Sequence, residues 1–263
     1  MELILRMLFW GIGGIVLMMF FLWLLGLQIR NYAVVDVGWT IGLPVLATIY
    51  SMYSPAPLGR ITLALAMTWI WGFRLGLYLL FTRIIGHPEE GRYQQLRKDW
   101  KTNIDLKFLA FFQFQGALDL ILSLPFLVAL LNPATNLQPI ELVGAAIWAV
   151  ALAGESVADA QLNAFKRDVA NKGKTCRRGL WNYSRHPNYF FEWMIWVAWF
   201  VFALGSPHGY IALICPLVML YFLFKLTGIP ATEAQALRSK GDDYRQYQET
   251  TSAFVPWFKK ASR

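Results

Sequence analysis

A chain of 263 residues with 57% hydrophobic and 16% aromatic side chains carries only 15% charged residues, against about 25% in ordinary soluble domains. That composition excludes disorder, collagen, coiled coil and a disulfide-stapled scaffold, and a soluble globule of this length could not hide so much apolar surface. The formal charge of +8 would suggest nucleic acid in a soluble protein, but in a membrane protein the first question is where the cations sit.

Apolar runs near the length that crosses a bilayer fall at residues 3–27, 34–53, 61–83, 107–131, 139–162, 189–206 and 209–228. They predict an all-α integral membrane protein, a bundle of seven transmembrane helices with structured cytosolic loops. Barrel strands are shorter and alternate in polarity. The first run is too long for a signal peptide and lacks a small-residue cleavage site, so it is expected to be the first span. Loop 84–106 holds Arg92, Arg97, Lys98 and Lys101, bordered by Arg83 and Lys107. Loop 163–188 holds Lys166, Arg167, Lys172, Lys174, Arg177, Arg178 and Arg185. The tail after 228 holds Arg238, Lys240, Arg245, Lys259, Lys260 and Arg263. By contrast, 132–138 and 207–208 contain no Lys or Arg, and 54–60 contains only Arg60. The alternation predicts an outside N-terminus and a cytosolic C-terminus, and cations so dispersed form no stripe for nucleic acid. With no internal repeat or low-complexity linker, residues 1–263 are expected to form a single polytopic domain whose cofactor half covers approximately 140–257. Cys176 and Cys215 make neither a disulfide nor a metal-ligand pattern, so no metal is expected.

Ionisable residues within a span cost about 2.5–3.5 kcal/mol each on insertion scales. Asp36, Arg74, Asp119, Glu155, Asp159 and Glu192 lie inside the runs or at their ends. Some can pair with one another or reach water, but six together suggest one polar cavity open to the cytosol. Glu155 and Asp159, four residues apart, share a helix face. The cations that follow, Lys166, Arg167 and those of 172–178, either enforce topology or form a rim for a phosphorylated cofactor. The run GLWNYSRHPNYFFE at 179–192 puts Arg185, His186, Asn188, Tyr189 and Glu192 at a loop-to-helix junction. Pro187 suits the first turn of that helix, and a helix N-terminus favours anions. Segment 229–257 shows helical spacing, a Gly-Asp turn and a tyrosine pair, and ends in Phe254-Val-Pro-Trp257, an apolar patch suited to the headgroup layer.

At these residues the chain resembles the steroid 5α-reductase family, especially its bacterial members. The matching features are GLWNYSRHPNYFFE, the preceding Glu155-Ser-Val-Ala-Asp159, and the tail TEAQALRSKGDDYRQYQETTSAFVPW. The resemblance implies an NADPH-dependent membrane reductase that transfers hydride to the conjugated C=C (Δ4) of a 3-oxo-steroid or similar apolar enone lipid. It also implies a bacterial inner membrane and a substrate entering from the bilayer; a monomer is expected. Asp159, Asn188 and Glu192 match the family's cofactor contacts. Arg178, Tyr183, Arg185, His186, Tyr189 and Tyr244 lie in the matching segments as neighbours, Glu233 and Arg238 follow the tail pattern, and Lys166 belongs to the basic rim. Arg83 and Arg92 correspond, across a gap, to basic cofactor contacts in the front half. The chain departs from steroid-reducing relatives where they hold the ketone with a Gln-Glu pair on the second helix and a Tyr on the third. Here stand Asp36 in VVDVGW and Trp71, with Arg74 and Tyr78 on a similar face as further polarising candidates. An Asp36–Arg74 ion pair is the plain alternative. A similar Arg-His-Pro-x-Tyr run occurs in isoprenylcysteine carboxyl methyltransferases, which use S-adenosylmethionine and supply a second reading. A seven-helix receptor or transporter, a third reading, requires an outward-facing polar pocket.

Overall fold

Once in hydrocarbon, a backbone must satisfy its own hydrogen bonds, and the apolar runs do so as helices in a computed structural model. Residues 1–226 and 228–259 are described; Thr227 and two of the tail cations, Lys260 and Arg263, lie outside them. The helices are α1 (Glu2–Ile29), α2 (Val34–Ser51), α3 (Leu58–Leu79), α4 (Gly91–Trp100), α5 (Ile104–Leu122), α6 (Leu124–Leu130), α7 (Pro139–Arg167), α8 (Pro187–Ala203), α9 (Ile214–Tyr221), α10 (Ile229–Lys240) and α11 (Asp242–Thr250). Among the described residues there is no strand, only one isolated bridge between Ser184 and Ser252.

The described residues of every predicted run are mainly helical, but the expected count of seven spans resolves to a coarser one. Five helices are long and apolar enough to cross a membrane: α1, α2, Leu58–Ile84, α7 and Gly209–Lys240. A sixth follows if α5 and α6, bent by 42° at Ser123, form one span. The remaining run is helical as α8 over 17 residues, a rise of about 25 Å against a hydrocarbon core of about 30 Å. This is a multi-helix membrane protein.

The chain folds into two compact units, Met1–Gln138 with Ala203–Ile211, and Pro139–Phe202 with Ala212–Arg263. In the first, α2 packs on α1, α3 and α5 and is the most buried of the five long apolar helices. Close approach needs small residues. At Gly72 of α3 an added Cβ would lie 2.6 Å from the Pro44 ring and 2.7 Å from the Thr40 carbonyl of α2. Pro44 lacks the N–H that would bond that carbonyl. Hydroxyls in the spans turn to nearby carbonyls, as when Thr48 Oγ1 donates to Pro44 O at 2.8 Å and receives Trp69 Nε1 at 3.0 Å. Arg60, the odd cation in an otherwise neutral connection, is fully buried. It donates to the carbonyls of Asn132, Ala134 and Asn136 at 2.7–2.9 Å, so it fastens the 132–136 loop.

In the second unit α7 and α8 meet without a spacer. A Cβ on Gly144 would fall 2.6 Å from the Phe202 nitrogen and 2.9 Å from the Ala198 carbonyl. Trp181 then closes the C-terminal half of α7, its Nε1 donating to Ala158 O at 2.8 Å, while its ring packs with Phe165 and Cys176. Gly179 provides the positive φ of 55° that lets the chain turn there.

Candidate functional site

In the second unit the polar residues of α7 and α8 come together first. Glu155, Asp159 and Glu192 are all buried, although carboxylates are rarely so unless partnered. Asn188 Nδ2 lies 3.4 Å from Asp159 Oδ1, so the first turn of α8 touches the acidic face of α7. Glu192, one turn further, accepts from Trp196 Nε1 at 3.0 Å.

A cationic rim adjoins them in the same unit. Lys166 at the end of α7, Arg178 in the following loop and Lys240 at the end of α10 all act electrostatically on the thiol of Cys176. Burial nevertheless pushes that thiol up from its ordinary value, with the three cations opposing. Lys166 and Lys240 repel each other. Arg178 and Lys166 are exposed, and Arg178 stacks over Phe165 at 5.8 Å. Like charges gathered around one point favour an anion. Arg238 is exposed on α10 and Tyr183 is partly exposed in the loop.

Four of the expected cofactor neighbours, Arg185, His186, Glu233 and Tyr244, direct polar atoms at one another. Glu233 of α10 accepts from Arg185 Nε at 2.6 Å, from Gln248 Nε2 at 2.7 Å and from Tyr244 OH at 3.4 Å, with His186 Nε2 at 3.2 Å. Arg185 also donates to the carbonyls of Gln248 and Thr251 at 2.9 and 2.7 Å. His186 stacks on Tyr189 with ring centroids 5.3 Å apart, and the Tyr189 hydroxyl pairs with Thr232 Oγ1 at 3.1 Å. Burial holds the His186 imidazole below its ordinary value, opposed by the Glu233 hydrogen bond. These bonds tie the start of α8 to α10 and α11.

The first unit carries a separate polar cluster. Asp36 accepts from Tyr93 OH at 2.6 Å and from Arg92, with Arg83 at 3.8 Å. Its partners thus come from loop 84–106 and its border residue Arg83, not from Arg74. Glu90 joins through Arg83 at 3.1 Å and Arg92 at 3.6 Å. Burial opposes the Arg92 charge, yet the Asp36 carboxylate beside it raises its affinity for the proton. Burial, and then Asp36, push the Tyr93 phenol well above its ordinary value. A second knot has Glu89 binding Arg97 Nε at 2.7 Å and the Tyr32 N–H at 2.7 Å, while Tyr32 OH donates to Asp105 at 2.7 Å. Trp71 is buried in edge contact with Trp39 at 5.8 Å, and Arg74 lies over Tyr78 at 6.0 Å. Tyr93, Glu89, Glu90 and Gln248 were not among the expected site residues, and Lys240 was expected only as a topology cation of the tail. The only local signal was the acidic pair preceding Arg92-Tyr93.

Long apolar helices, buried acids and basic loops define a helical membrane protein with a polar interior. Residues 22–251 match the family described as "Protein of unknown function (DUF1295)". The chain belongs to that family, which is associated with steroid 5-alpha reductase-like membrane proteins. No curated protein and no solved structure matches the chain.

Proposed function

We propose that the protein is an NADPH-dependent reductase of conjugated enones carried in the bilayer, with 3-oxo-Δ4-steroids or similar polycyclic lipids as substrates. The observation that carries this reading is the second unit's pairing of buried polar groups, Asp159, Asn188 and Glu192, with a rim of Lys166, Arg178 and Lys240. Amide and carboxylate groups suit the hydrogen-bonding faces of a nicotinamide and ribose, and convergent cations suit phosphates. The residues therefore fit the cofactor. When bound, it would supply the hydride that reaches the β-carbon of the enone.

Negative charge then develops on the carbonyl oxygen, and an aligned donor lowers that barrier. In the first unit Asp36 accepts from Tyr93 OH and Arg92, so it is not itself the proposed donor. The proton that completes the reaction is delivered to the α-carbon. Membrane sidedness belongs to the same proposal: N-terminus outside, C-terminus in the cytosol, in a bacterial inner membrane, with the basic loops on the cofactor side.

Purified protein in detergent or nanodiscs is expected to bind NADPH and to convert a 3-oxo-Δ4-steroid to its dihydro product, read by product mass. Glu192→Ala and Asn188→Ala are each expected to weaken NADPH binding at least tenfold while leaving the thermal transition in place. Binding of S-adenosylmethionine without NADPH would replace this reading with a membrane methyltransferase. Binding of neither would return the chain to a receptor or transporter.

A further inference from the structure

The C-terminal strap after α11 has two unlike faces, and the proposed chemistry uses neither. Its backbone is pinned to the loop that opens α8. Arg185 N donates to Ser252 O at 2.8 Å, Trp257 N to Tyr183 O at 3.0 Å, and Ser184 Oγ to Phe254 O at 2.7 Å. Phe254 points inward and lies 5.6, 5.8 and 5.1 Å from the rings of Phe190, Trp193 and Phe224. Val255, Trp257 and Phe258 point the other way and are 49%, 68% and 77% exposed. Water disfavours three adjacent large apolar side chains held rigidly in the open, and such a patch marks an interaction surface.

Two neighbours indicate what covers it. Phe224, in contact with Phe254, lies in the helical segment Phe222–Leu226 that follows α9, close to the end of the apolar run 209–228, and is itself exposed beside Leu226, so the strap packs against the end of that run. Exposed lysines adjoin these residues in the chain, Lys259 after Phe258 and Lys225 after Phe224. Aromatic rings with lysines at the end of a span have the chemistry of a membrane–water boundary, where rings sit among headgroups and lysine stems reach outward. We propose that residues 255–259 form a docking surface for the headgroup layer of the bilayer, with Val255, Trp257 and Phe258 inserted and Lys259 at the phosphates. Because the strap is bonded to Tyr183–Arg185, its seating restrains the junction from which Asn188 and Glu192 project.

The test needs no activity. Phe258→Cys is spin-labelled in the full chain and reconstituted in phospholipid nanodiscs; the native Cys176 and Cys215 are buried and leave the label specific. Arg245→Cys on α11 serves as the water reference and Phe21→Cys on α1 as the lipid reference, both being exposed positions. The expected result is an oxygen-to-nickel-chelate accessibility ratio at 258 several-fold above that at 245 and closer to that at 21. A ratio at 258 equal to that at 245 overturns the proposal. Dipolar broadening at 258 that disappears on dilution with unlabelled protein also overturns it, because the surface then meets a second copy. If Phe258→Cys does not fold, Val255→Cys reports on the same face with the same outcomes.

Discussion

Asp119 on α5 is fully buried, and neither of its carboxyl oxygens makes a hydrogen bond to a described residue. Its room comes from Gly42 of α2, where an added Cβ would sit 2.3 Å from Asp119 Oδ2. An unpaired polar group at such a site costs about 1–3 kcal/mol. Leucine has the same branching as aspartate, with methyls in place of oxygens, so Asp119→Leu is expected to stabilise the detergent-solubilised protein by about 1–3 kcal/mol. A lower thermal midpoint than wild type would show that the carboxyl has a partner. His186 gives a pH-dependent prediction with a fixed sign. Its folded value lies below the unfolded one, so the unfolded chain takes up the proton first as pH falls. The contribution of neutral His186 is complete above about 6.5 and is lost as pH falls towards the folded value. Thermal midpoints measured across this range are expected to decline for wild type and to flatten for His186→Asn.

At the scale of elements, what decides stability is how closely helices approach. Gly144 faces the backbone of α8, with Phe202 N at 2.6 Å and Phe202 Cα at 2.8 Å from an added Cβ, and backbone cannot swing aside as a side chain can. Gly13 on α1 has nothing within 4 Å of its added Cβ. Gly144→Ala is therefore expected to destabilise by about 1–3 kcal/mol or more, whereas Gly13→Ala is expected to be neutral or stabilising by several tenths of a kcal/mol, since alanine favours helix. Equal midpoints for the two variants would mean that α8 shifts freely. The sequence showed each of these helices because every apolar run has few other ways to satisfy its backbone in lipid. It did not show which of them cross, because the bend at Ser123 and the shortness of α8 depend on packing, which leaves no mark on the apolar periodicity. Asp36 illustrates the same limit at longer range: its partners are the phenol and guanidinium of Tyr93 and Arg92 on α4. A polar residue so placed looked equally able to pair with Arg74, and only the fold chooses. By contrast, the shared face of Glu155 and Asp159 follows from their spacing of four, and the junction run marks Asn188 and Glu192 as polar residues at the start of α8, while a cofactor role for Asp159, Asn188 and Glu192 was implied only by the resemblance.

Over the whole molecule, the charge of +8 has its meaning in its distribution. Arg60, the one cation in the connection 54–60, is sequestered by three carbonyls, so it adds little free charge to that side. Two of the four cations of 84–106 are engaged as well, Arg92 with Asp36 and Arg97 with Glu89, whereas Lys98, Lys101, Lys172 and Lys174 stand exposed. The proposed sidedness, by the positive-inside rule, assigns the segments around 172–178 and 238–245 to the cytosol and the connections at 54–60 and 132–138 to the outside. This can be read in sealed inverted and right-side-out vesicles with a membrane-impermeant maleimide, since both native thiols are buried. Leu58→Cys, exposed at the start of α3, is expected to label only in right-side-out vesicles. Arg245→Cys, on the polar surface of α11, is expected to label only in inverted ones. Labelling of both from one side would mean an odd error in the number of crossings between them and would remove α8, or the bent α5–α6 pair, from the spanning set. The reverse pattern would leave the crossings intact and place the cationic rim outside, away from cytosolic NADPH.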